Sequence, residues 1–301
     1  MAATGRIKGI TAHRLTHKNT TFSANVSDPL KMGYHTHNAC LEPCMRIISL
    51  HVNGLQQAVE KGLYAWLKTA DADVVAIQNL KAKEYQLPDA VLYPEGFNAY
   101  FFDAEAEGYS GVAILTKEVP KAIMTGLAFP QCDMQGRFIQ ADFPHVSVGS
   151  VLFPAVDEYN SLEDKLAFQK AFLDHLNKTR RKRREFIFCG NFEAAHKTVD
   201  LDNWQEQQST PGFLPEERAF FDQMFGPVGY VDAFREANFG ENQYTWWPDA
   251  DSARRNQNGW RKDYQICTPS IRQFVVDAKL DTSLRFGDHA AVMVEYEFDE
   301  D

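Results

Sequence analysis

The sequence predicts an α/β sandwich built from mixed sheets, and three observations support this fold class. The chain has 301 residues with 44% hydrophobic content, which is enough for a substantial core. Strand-like apolar runs outnumber helical ones, and many are joined by short turns. This order favours a mixed sandwich over a doubly wound parallel sheet, in which helices would alternate regularly with strands.

The helices and strands are predicted from the spacing of apolar residues. A recurrence every three to four residues predicts a helix, and short apolar or alternating runs predict strands. The predicted helices cover 55–69, 162–177 and 215–225. The predicted strands lie at 46–52, 74–78, 97–103, 111–116, 137–143, 146–153, 186–189, 244–247, 263–267, 274–278 and 290–298.

The first 44 residues differ from the rest of the chain. They lack convincing periodicity, whereas Met45 opens a strong strand that ends in a turn at Asn53-Gly54. We therefore interpret Met45 as the natural start, 1–44 as a non-native or disordered extension, and 45–301 as one domain. The extension holds a cluster whose spacing would suit zinc, although such a match also arises by chance. The cluster consists of His35, His37, Cys40 and Cys44.

Composition and charge exclude several classes of protein. No run of about 18 apolar residues is present, which argues against a membrane span, and the N-terminus lacks an apolar leader. The five scattered cysteines are typical of a reducing cytoplasm rather than a disulfide scaffold. The net charge is −10, so any contact with nucleic-acid phosphates must come from a local basic patch or a metal.

One stretch, 180–193, combines a basic run, an apolar strand and two polar residues at the strand's end. Residues two apart on an extended segment point to one face, so Asn191 and Glu193 are expected to reach one pocket. Cleavage of phosphodiesters needs a dication held by oxygen ligands, for which carboxylates are the strongest candidates. Here the first of the two positions is an amide.

Segments along most of the chain resemble the exonuclease III branch of the endonuclease/exonuclease/phosphatase family. Their order and spacing hold from Met45 to the C-terminus. The resemblance implies a four-layer α/β sandwich with its active site at one edge of two packed sheets. The segments are RIISLHVNGL (46–55), VVAIQNLKA (74–82), GVAILTKEVP (111–120), QGRFIQADF (135–143), GFLPEERAFFDQM (212–224), YVDAFRE (230–236), TWWPD (245–249), WRKDY (260–264) and GDHAAV (287–292).

The same resemblance implies a magnesium-dependent site, from which this chain departs at four positions. The family pattern has Asn, Glu, Tyr and Asp where this chain has His51, Asn79, Leu152 and Asn191. The resemblance thus implies weakened or lost metal positions at His51, Asn79 and Glu193. It implies catalytic positions, interpreted as vestigial, at Asn191, Asp263, Asp288 and His289.

Other segments are more similar to a degenerate group of the branch, the bacterial catabolite repression control proteins. These are KTRRKRREFIFCG, DNWQEQQSTPGFLPEERAF, GYVDAF, QYTWWPD and GWRKDYQICTP. This resemblance implies a post-transcriptional regulator that acts with the RNA chaperone Hfq on A-rich mRNA, without nuclease chemistry or a cofactor. The alternative is a Mg²⁺-dependent exodeoxyribonuclease III or AP endonuclease that acts on DNA in repair.

Two stretches are candidates for contact with RNA or a partner protein. The basic run either binds phosphates or is a solvated helix end, where cations complement the helix dipole. The second stretch mixes aromatic and cationic residues, which suits base stacking or a protein interface, although its tryptophans are equally typical of a core. The candidates are Arg180, Arg181, Lys182, Arg183 and Arg184 in the first stretch, and Trp246, Trp247, Arg254, Arg255, Trp260 and Arg261 in the second.

Overall fold

The computed structural model describes residues 44–284 and 286–298, apart from the side chains of residues 250 and 254. Its strands, in chain order, are β1 (Cys44–His51), β2 (Val74–Gln78), β3 (Asn98–Phe102), β4 (Val112–Thr116), β5 (Ala122–Thr125), β6 (Phe138–Asp142), β7 (Val146–Leu152), β8 (Glu185–Asn191), β9 (Val231–Asp232), β10 (Asp263–Cys267), β11 (Val275–Asp281) and β12 (Ala291–Glu297). Its α-helices are α1 (Leu55–Glu60), α2 (Leu63–Ala70), α3 (Asp89–Leu92), α4 (Pro130–Asp133), α5 (Leu162–Thr179), α6 (Pro215–Phe225), α7 (Ala233–Ala237) and α8 (Ala250–Arg255).

The described strands form two six-stranded sheets. The first sheet has the order β11-β12-β1-β2-β4-β3, and the second has the order β5-β6-β7-β8-β10-β9. Each sheet is mixed, because β1 runs parallel to β2 and β7 runs parallel to β8 while the other described pairs are antiparallel. Parallel neighbours need a crossover. The helical segments α1 and α2 connect the first parallel pair, and α5 connects the second.

Alternation along the strands divides the core into layers. On β1, Ile47 belongs to the cluster shared by the two sheets, whereas Ile48 packs with the cluster that holds α1 and α2. On β8, Ile187 faces the first sheet, whereas Phe188 packs with α5 and α6. Helices therefore cover the outer faces of two packed sheets. The predicted four-layer α/β sandwich is confirmed.

Most predicted elements form within one or two residues of their expected bounds, and three do not. The strand expected over 274–278 extends to Asp281 as β11. The helix expected over 55–69 is divided, because Gly62 adopts a left-handed conformation (φ 100°) between α1 and α2. The strand expected over 244–247 is reduced to isolated bridges of Trp246 with Trp260 and with His289. Local apolar composition did not distinguish a strand from a buried loop at this point.

The start of β1 falls one residue before the predicted domain boundary. Cys44 lies opposite Glu297 of β12, so it belongs to the first sheet rather than to the extension. The three other members of the zinc-like cluster lie outside the described residues, and both the extension and its zinc site stay predictions. No described helix is long and apolar enough to cross a membrane.

Candidate active site

The polar residues singled out in the sequence lie at one edge of the sandwich, where strands of both sheets end. His51 ends β1, and Asn79 follows β2, its parallel neighbour. Asn191 ends β8 and lies opposite Asp263, the first residue of antiparallel β10. The two sheets are joined near this edge by a hydrogen bond of 2.9 Å from Gln78 Nε2 to Ser150 Oγ.

Two of the edge residues have left-handed backbones. Asn79 has φ 64° and Glu193 has φ 52°. Asparagine tolerates this region well, whereas a glutamate there costs about 1 kcal/mol or more. Such conformations persist only where the surroundings impose them, and they are concentrated at functional sites. The backbone at position 193 is therefore held by its neighbours.

A buried ion pair supplies part of that support, and sequence reasoning missed it. The ammonium of Lys165, on α5, donates to the carbonyl oxygen of Glu193 at 2.7 Å and also pairs with the carboxylate of Glu217 on α6. Glu217 in turn accepts from the backbone amides of Gly212 and Leu214. Neither charged side chain is more than 1% exposed. Both occupy amphipathic helices, where a charge ordinarily predicts a solvent-facing position, so no sequence signal indicated the pair.

One half of the edge is an aspartate–histidine pair, Asp263 and His289. The imidazole Nδ1 of His289 donates to Asp263 Oδ2 at 2.7 Å, and the hydroxyl of Thr245 donates to the same oxygen at 2.6 Å. Thr245 is held by the backbone amides of Lys262 and Asp263, which donate to its hydroxyl oxygen. Asp263, His289 and the supporting Thr245 are all buried. The carboxylate thus fixes the tautomer of the ring and leaves Nε2 for another group.

Two neighbours complete this half. The ring of His51 lies against that of His289, with centroids 4.1 Å apart and planes inclined at 34°. The indole Nε1 of Trp246 donates to Asp288 Oδ2 at 3.0 Å. Asp288 and His289 are consecutive residues of the loop before β12, so this short loop carries both side chains to the end of β1.

The other half is an amide–carboxylate cluster of Asn191, Glu193 and Lys262. Asn191 Nδ2 donates to Glu193 Oε1 at 2.9 Å, and the backbone amide of Glu193 donates to Asn191 Oδ1 at 2.7 Å. The ammonium of Lys262 lies 3.3 Å from Glu193 Oε2 and 3.8 Å from the centroid of the Trp246 ring. Each polar atom of the Asn191 amide and each oxygen of the carboxylate therefore has a partner within the protein.

The titration behaviour follows from these contacts. Burial acts most strongly on Glu193 and would raise its pKa, but Lys262 and the two imidazoles outweigh it and lower the pKa to about 2. Burial lowers the pKa of His51 to about 3, so that ring is neutral at pH 7. Burial also opposes the charged form of His289. The adjacent Asp263 carboxylate outweighs burial, so the pKa of His289 is raised.

The donors at positions 79, 191 and 193 are poorly suited to a magnesium ion. Mg²⁺ requires oxygen ligands, usually one or two carboxylates. Position 79 supplies an amide, and the Asn191 amide is occupied at both ends by Glu193. The Glu193 carboxylate is shared with the ammonium of Lys262. A dication at these three residues would have to displace the Lys262 ammonium, and it would meet a single carboxylate, that of Glu193.

A cleft of about 1110 Å³ opens beside this edge, and His51, Asn79 and Glu193 form part of its wall. Its other polar residues include the buried Arg137, which donates to the hydroxyl of Tyr109 at 2.5 Å. Tyr109, Tyr159 and Asn160 were not predicted as site residues, because no motif marks the loops that carry them. Arg137 lies in the segment QGRFIQADF, where no signal distinguished it as a site residue. Leu152, the position that departs from the family's tyrosine, lies in the same wall.

The basic run divides into an exposed part and a structural part. Arg180, Arg181, Lys182 and Arg183 are exposed just after α5. Arg184 is different, because its guanidinium donates to the backbone carbonyls of Phe143, Pro144 and Val146 and holds the turn between β6 and β7. Arg184 is therefore removed from the predicted contact surface.

The aromatic and cationic stretch is mostly core, which corrects several predicted contacts. Trp247 and Trp260 are 4% and 8% exposed, and Arg261 is 1% exposed. The guanidinium of Arg261 pairs with Asp200 and Asp232. These three residues were predicted to face RNA or a partner, but their side chains are occupied inside the protein. Trp246 is half-buried, Arg255 is exposed, and the side chain of Arg254 lies outside the described part.

Fold and site together define a sandwich with one polar edge, and comparison with known proteins gives its family. The model of the Endonuclease/Exonuclease/phosphatase family matches residues 52–289. The chain belongs to this family.

Curated relatives are exonuclease III and AP endonuclease-like proteins. The chain is 31% identical over 251 residues to an exodeoxyribonuclease of Bacillus subtilis, covering 82% of this chain and 98% of that protein. It is 32% identical over 257 residues to the DNA repair nuclease APEX1 of Danio rerio, covering 82% and 81% respectively.

Solved structures show the same fold. A 3′-5′ exonuclease from Neisseria meningitidis superposes with a TM-score of 0.77, covering 84% of this chain and all of that one at 23% identity. An AP endonuclease from Archaeoglobus fulgidus superposes with a TM-score of 0.75, with the same coverage and identity.

Proposed function

We propose that this chain binds nucleic acid on an exonuclease III scaffold without cutting it, as a post-transcriptional regulator. In this role it joins the RNA chaperone Hfq on A-rich translation-initiation regions and represses translation. One observation carries the non-cleaving part of the proposal. The position that should hold a metal is closed by an internal network in which Lys262 neutralises Glu193.

The chemistry of the remaining groups supports binding without hydrolysis. A phosphodiesterase of this type needs a dication to generate a nucleophile and to stabilise the developing charge. The substitutions at Asn79 and Asn191 remove two carboxylates, and Leu152 lacks a hydroxyl donor. Loss of one catalytic group commonly costs roughly 10² to 10⁴ in rate, and several losses leave only the effect of positioning.

The regulatory part of the proposal rests on the sequence resemblance and on one exposed surface. The stretches similar to catabolite repression control proteins include the basic run after α5, where four cations face solvent. Cations in such a row neutralise phosphates and make binding dependent on salt. An acidic chain with a net charge of −10 would otherwise repel RNA, so this local patch is the best candidate for the contact.

A reporter assay tests the regulatory proposal. A message with an A-rich initiation region is translated in the presence of the full chain, with and without Hfq. We expect repression that requires both proteins and falls when Arg180, Arg181 and Arg183 are changed to glutamine. The triple change of exposed Lys68, Lys121 and Lys170 to glutamine removes the same charge elsewhere and is the matched control. Repression without Hfq, or equal repression by the triple variant, would contradict the proposal.

A magnesium-dependent nuclease is the second candidate, and the comparisons with known proteins support it better than they support the regulator. Two observations favour it. Relatives at 31% and 32% identity are named as an exodeoxyribonuclease and a DNA repair nuclease. The chain also retains the aspartate–histidine pair and Asp288 in bonded geometry. Under this candidate the unmodified protein cleaves abasic or 3′-recessed duplex DNA with Mg²⁺, and the change His289→Gln abolishes cleavage.

A further inference from the structure

Two imidazoles and a carboxylate lie together between the end of β1 and the loop before β12. One ligand atom from each of His51, Asp288 and His289 lies within 4.8 Å of the other two. A dication with nitrogen ligands at about 2.0–2.1 Å and a carboxylate oxygen at about 2.0–2.2 Å holds its ligand atoms roughly 3–4 Å apart. Small movements of side chains would therefore complete a site.

A second, independent observation concerns the imidazole of His51. His51 is 6% exposed, and its Nδ1 is buried without a hydrogen-bond partner in the described part of the chain. A buried polar atom left unpaired costs about 1–3 kcal/mol. The ring lies against His289 but donates to no described side chain there. A dication bound at one ring nitrogen would give the His51 imidazole a polar partner, which its described protein neighbours do not provide at Nδ1.

The two remaining residues are already oriented by neighbours. Asp263 accepts the Nδ1 proton of His289, which leaves Nε2 as the ligand atom. A carboxylate behind a histidine is the usual support of a metal-bound imidazole, since it sets the tautomer and raises basicity. Trp246 holds one oxygen of Asp288 at 3.0 Å, which fixes the carboxylate beside the rings.

The kind of ion follows from the donors. Two imidazole nitrogens with one carboxylate suit zinc and neighbouring transition metals, whereas magnesium prefers oxygen alone. We propose that His51, Asp288 and His289 bind one zinc-class dication, with a coordination position left open to water or a phosphate oxygen. The site uses none of the amides that replaced the family's carboxylates, and it does not depend on the proposed regulatory function.

Metal titration of the full chain tests this site, without an affinity tag that would itself bind metal. The possible zinc cluster of the extension is removed first by the changes His37→Ala and Cys40→Ser. We expect this background to bind one Co²⁺ with visible ligand-field absorption, and one Zn²⁺ by calorimetry. An excess of Mg²⁺ is expected to leave both signals unchanged.

Two variants in this background separate the site from adventitious binding. His51→Asn should lower Zn²⁺ affinity at least about tenfold, and the exposed Asp288→Asn, which spares the core, should do the same. His145→Asn, which alters an exposed histidine on the β6–β7 turn, should leave it unchanged. Absence of stoichiometric binding in the background, or binding that survives both site variants, would overturn the proposal.

Discussion

The two halves of the active-site edge differ in what their polar groups are bonded to. In the aspartate–histidine pair, bonds run inward to Thr245 and leave His289 Nε2 for an incoming group. In the amide–carboxylate cluster, Asn191, Glu193 and Lys262 satisfy one another. The first half is prepared for a ligand, whereas the second is closed by its own side chains.

The charge and the geometry of this edge are set separately. The register of β8 with β10 places Asn191 opposite Asp263, whatever group ends the side chain at position 191. Replacing a carboxylate by an amide alters only terminal atoms, so the edge keeps its shape. The charge that attracts a hard dication is lost in the same step.

The largest effect on the stability of the protein is expected from a substitution in the aspartate–histidine pair. Asp263→Ala leaves His289 and the Thr245 hydroxyl buried without their acceptor. Breaking a buried pair in this way should lower the free energy of unfolding by about 3 kcal/mol. Urea denaturation checks this. The exposed Asp288→Asn is the control and should change stability by less than about 0.5 kcal/mol. Equal effects would show that the pair is not specially supported.

A smaller effect is expected in the amide–carboxylate cluster. Glu193→Gln and Lys262→Met each remove one charge of a largely buried pair, which is 16% and 14% exposed. In a double-mutant cycle the two changes should show a coupling of about 1–2 kcal/mol, because the second change no longer leaves a lone charge. If the changes in the free energy of unfolding caused by the two substitutions were strictly additive, Lys262 would not neutralise Glu193 in solution.

Restoring the lost carboxylates should make the closed half sensitive to magnesium. In the variant Asn79→Glu with Asn191→Asp, three carboxylates meet near Glu193, and their repulsion lowers the melting temperature without metal. We expect Mg²⁺ to raise it, with affinity about tenfold above that of the unmodified chain. Gln56→Glu with Asn177→Asp adds the same charge at exposed helical positions and serves as control. A magnesium response equal to the control's would show that the edge no longer presents a metal position.

The smallest effect lies outside both halves, in the basic run. Changing exposed Arg181 to glutamine should reduce the salt dependence of RNA binding by about one unit of slope, with little change in stability. Arg184→Gln should do the reverse, since it removes donors from the carbonyls of the β6–β7 turn. Fluorescence anisotropy over a salt series measures the first quantity, and thermal unfolding measures the second. The contact surface would be misplaced if both variants changed the slope alike.

The fold followed from the sequence wherever a local signal matched its tertiary environment. β2 and β10 form at their predicted bounds, and every residue of both strands is buried. α6 also begins and ends as predicted, with proline at its first position and Glu216 and Glu217 in its first turn. Spacing along strands predicted that Asn191 and Glu193 would meet, and they are bonded, although Glu193 is not extended.

The predictions of surface contact at Trp260 and Arg261 failed because the partners of these residues are distant in sequence. Arg261 resembles a surface cation by composition, yet it is neutralised by Asp200 and Asp232, which lie 61 and 29 residues away. Nothing near Trp260 indicated that it would pack with Leu201 and Phe213. Burial of a charge or a tryptophan depends on pairings of this kind, and periodicity does not report them.

The most direct test of the central claim, that the closed half does not support magnesium-dependent cleavage, is a single-turnover assay. Untagged full-length protein is mixed with Mg²⁺ and abasic or 3′-recessed duplex DNA, beside the Bacillus subtilis exodeoxyribonuclease. We expect a rate at least about 10⁴-fold below that enzyme and indifferent to His289→Gln, because several catalytic groups are missing. Cleavage within about tenfold of the enzyme, abolished by His289→Gln, would contradict the account.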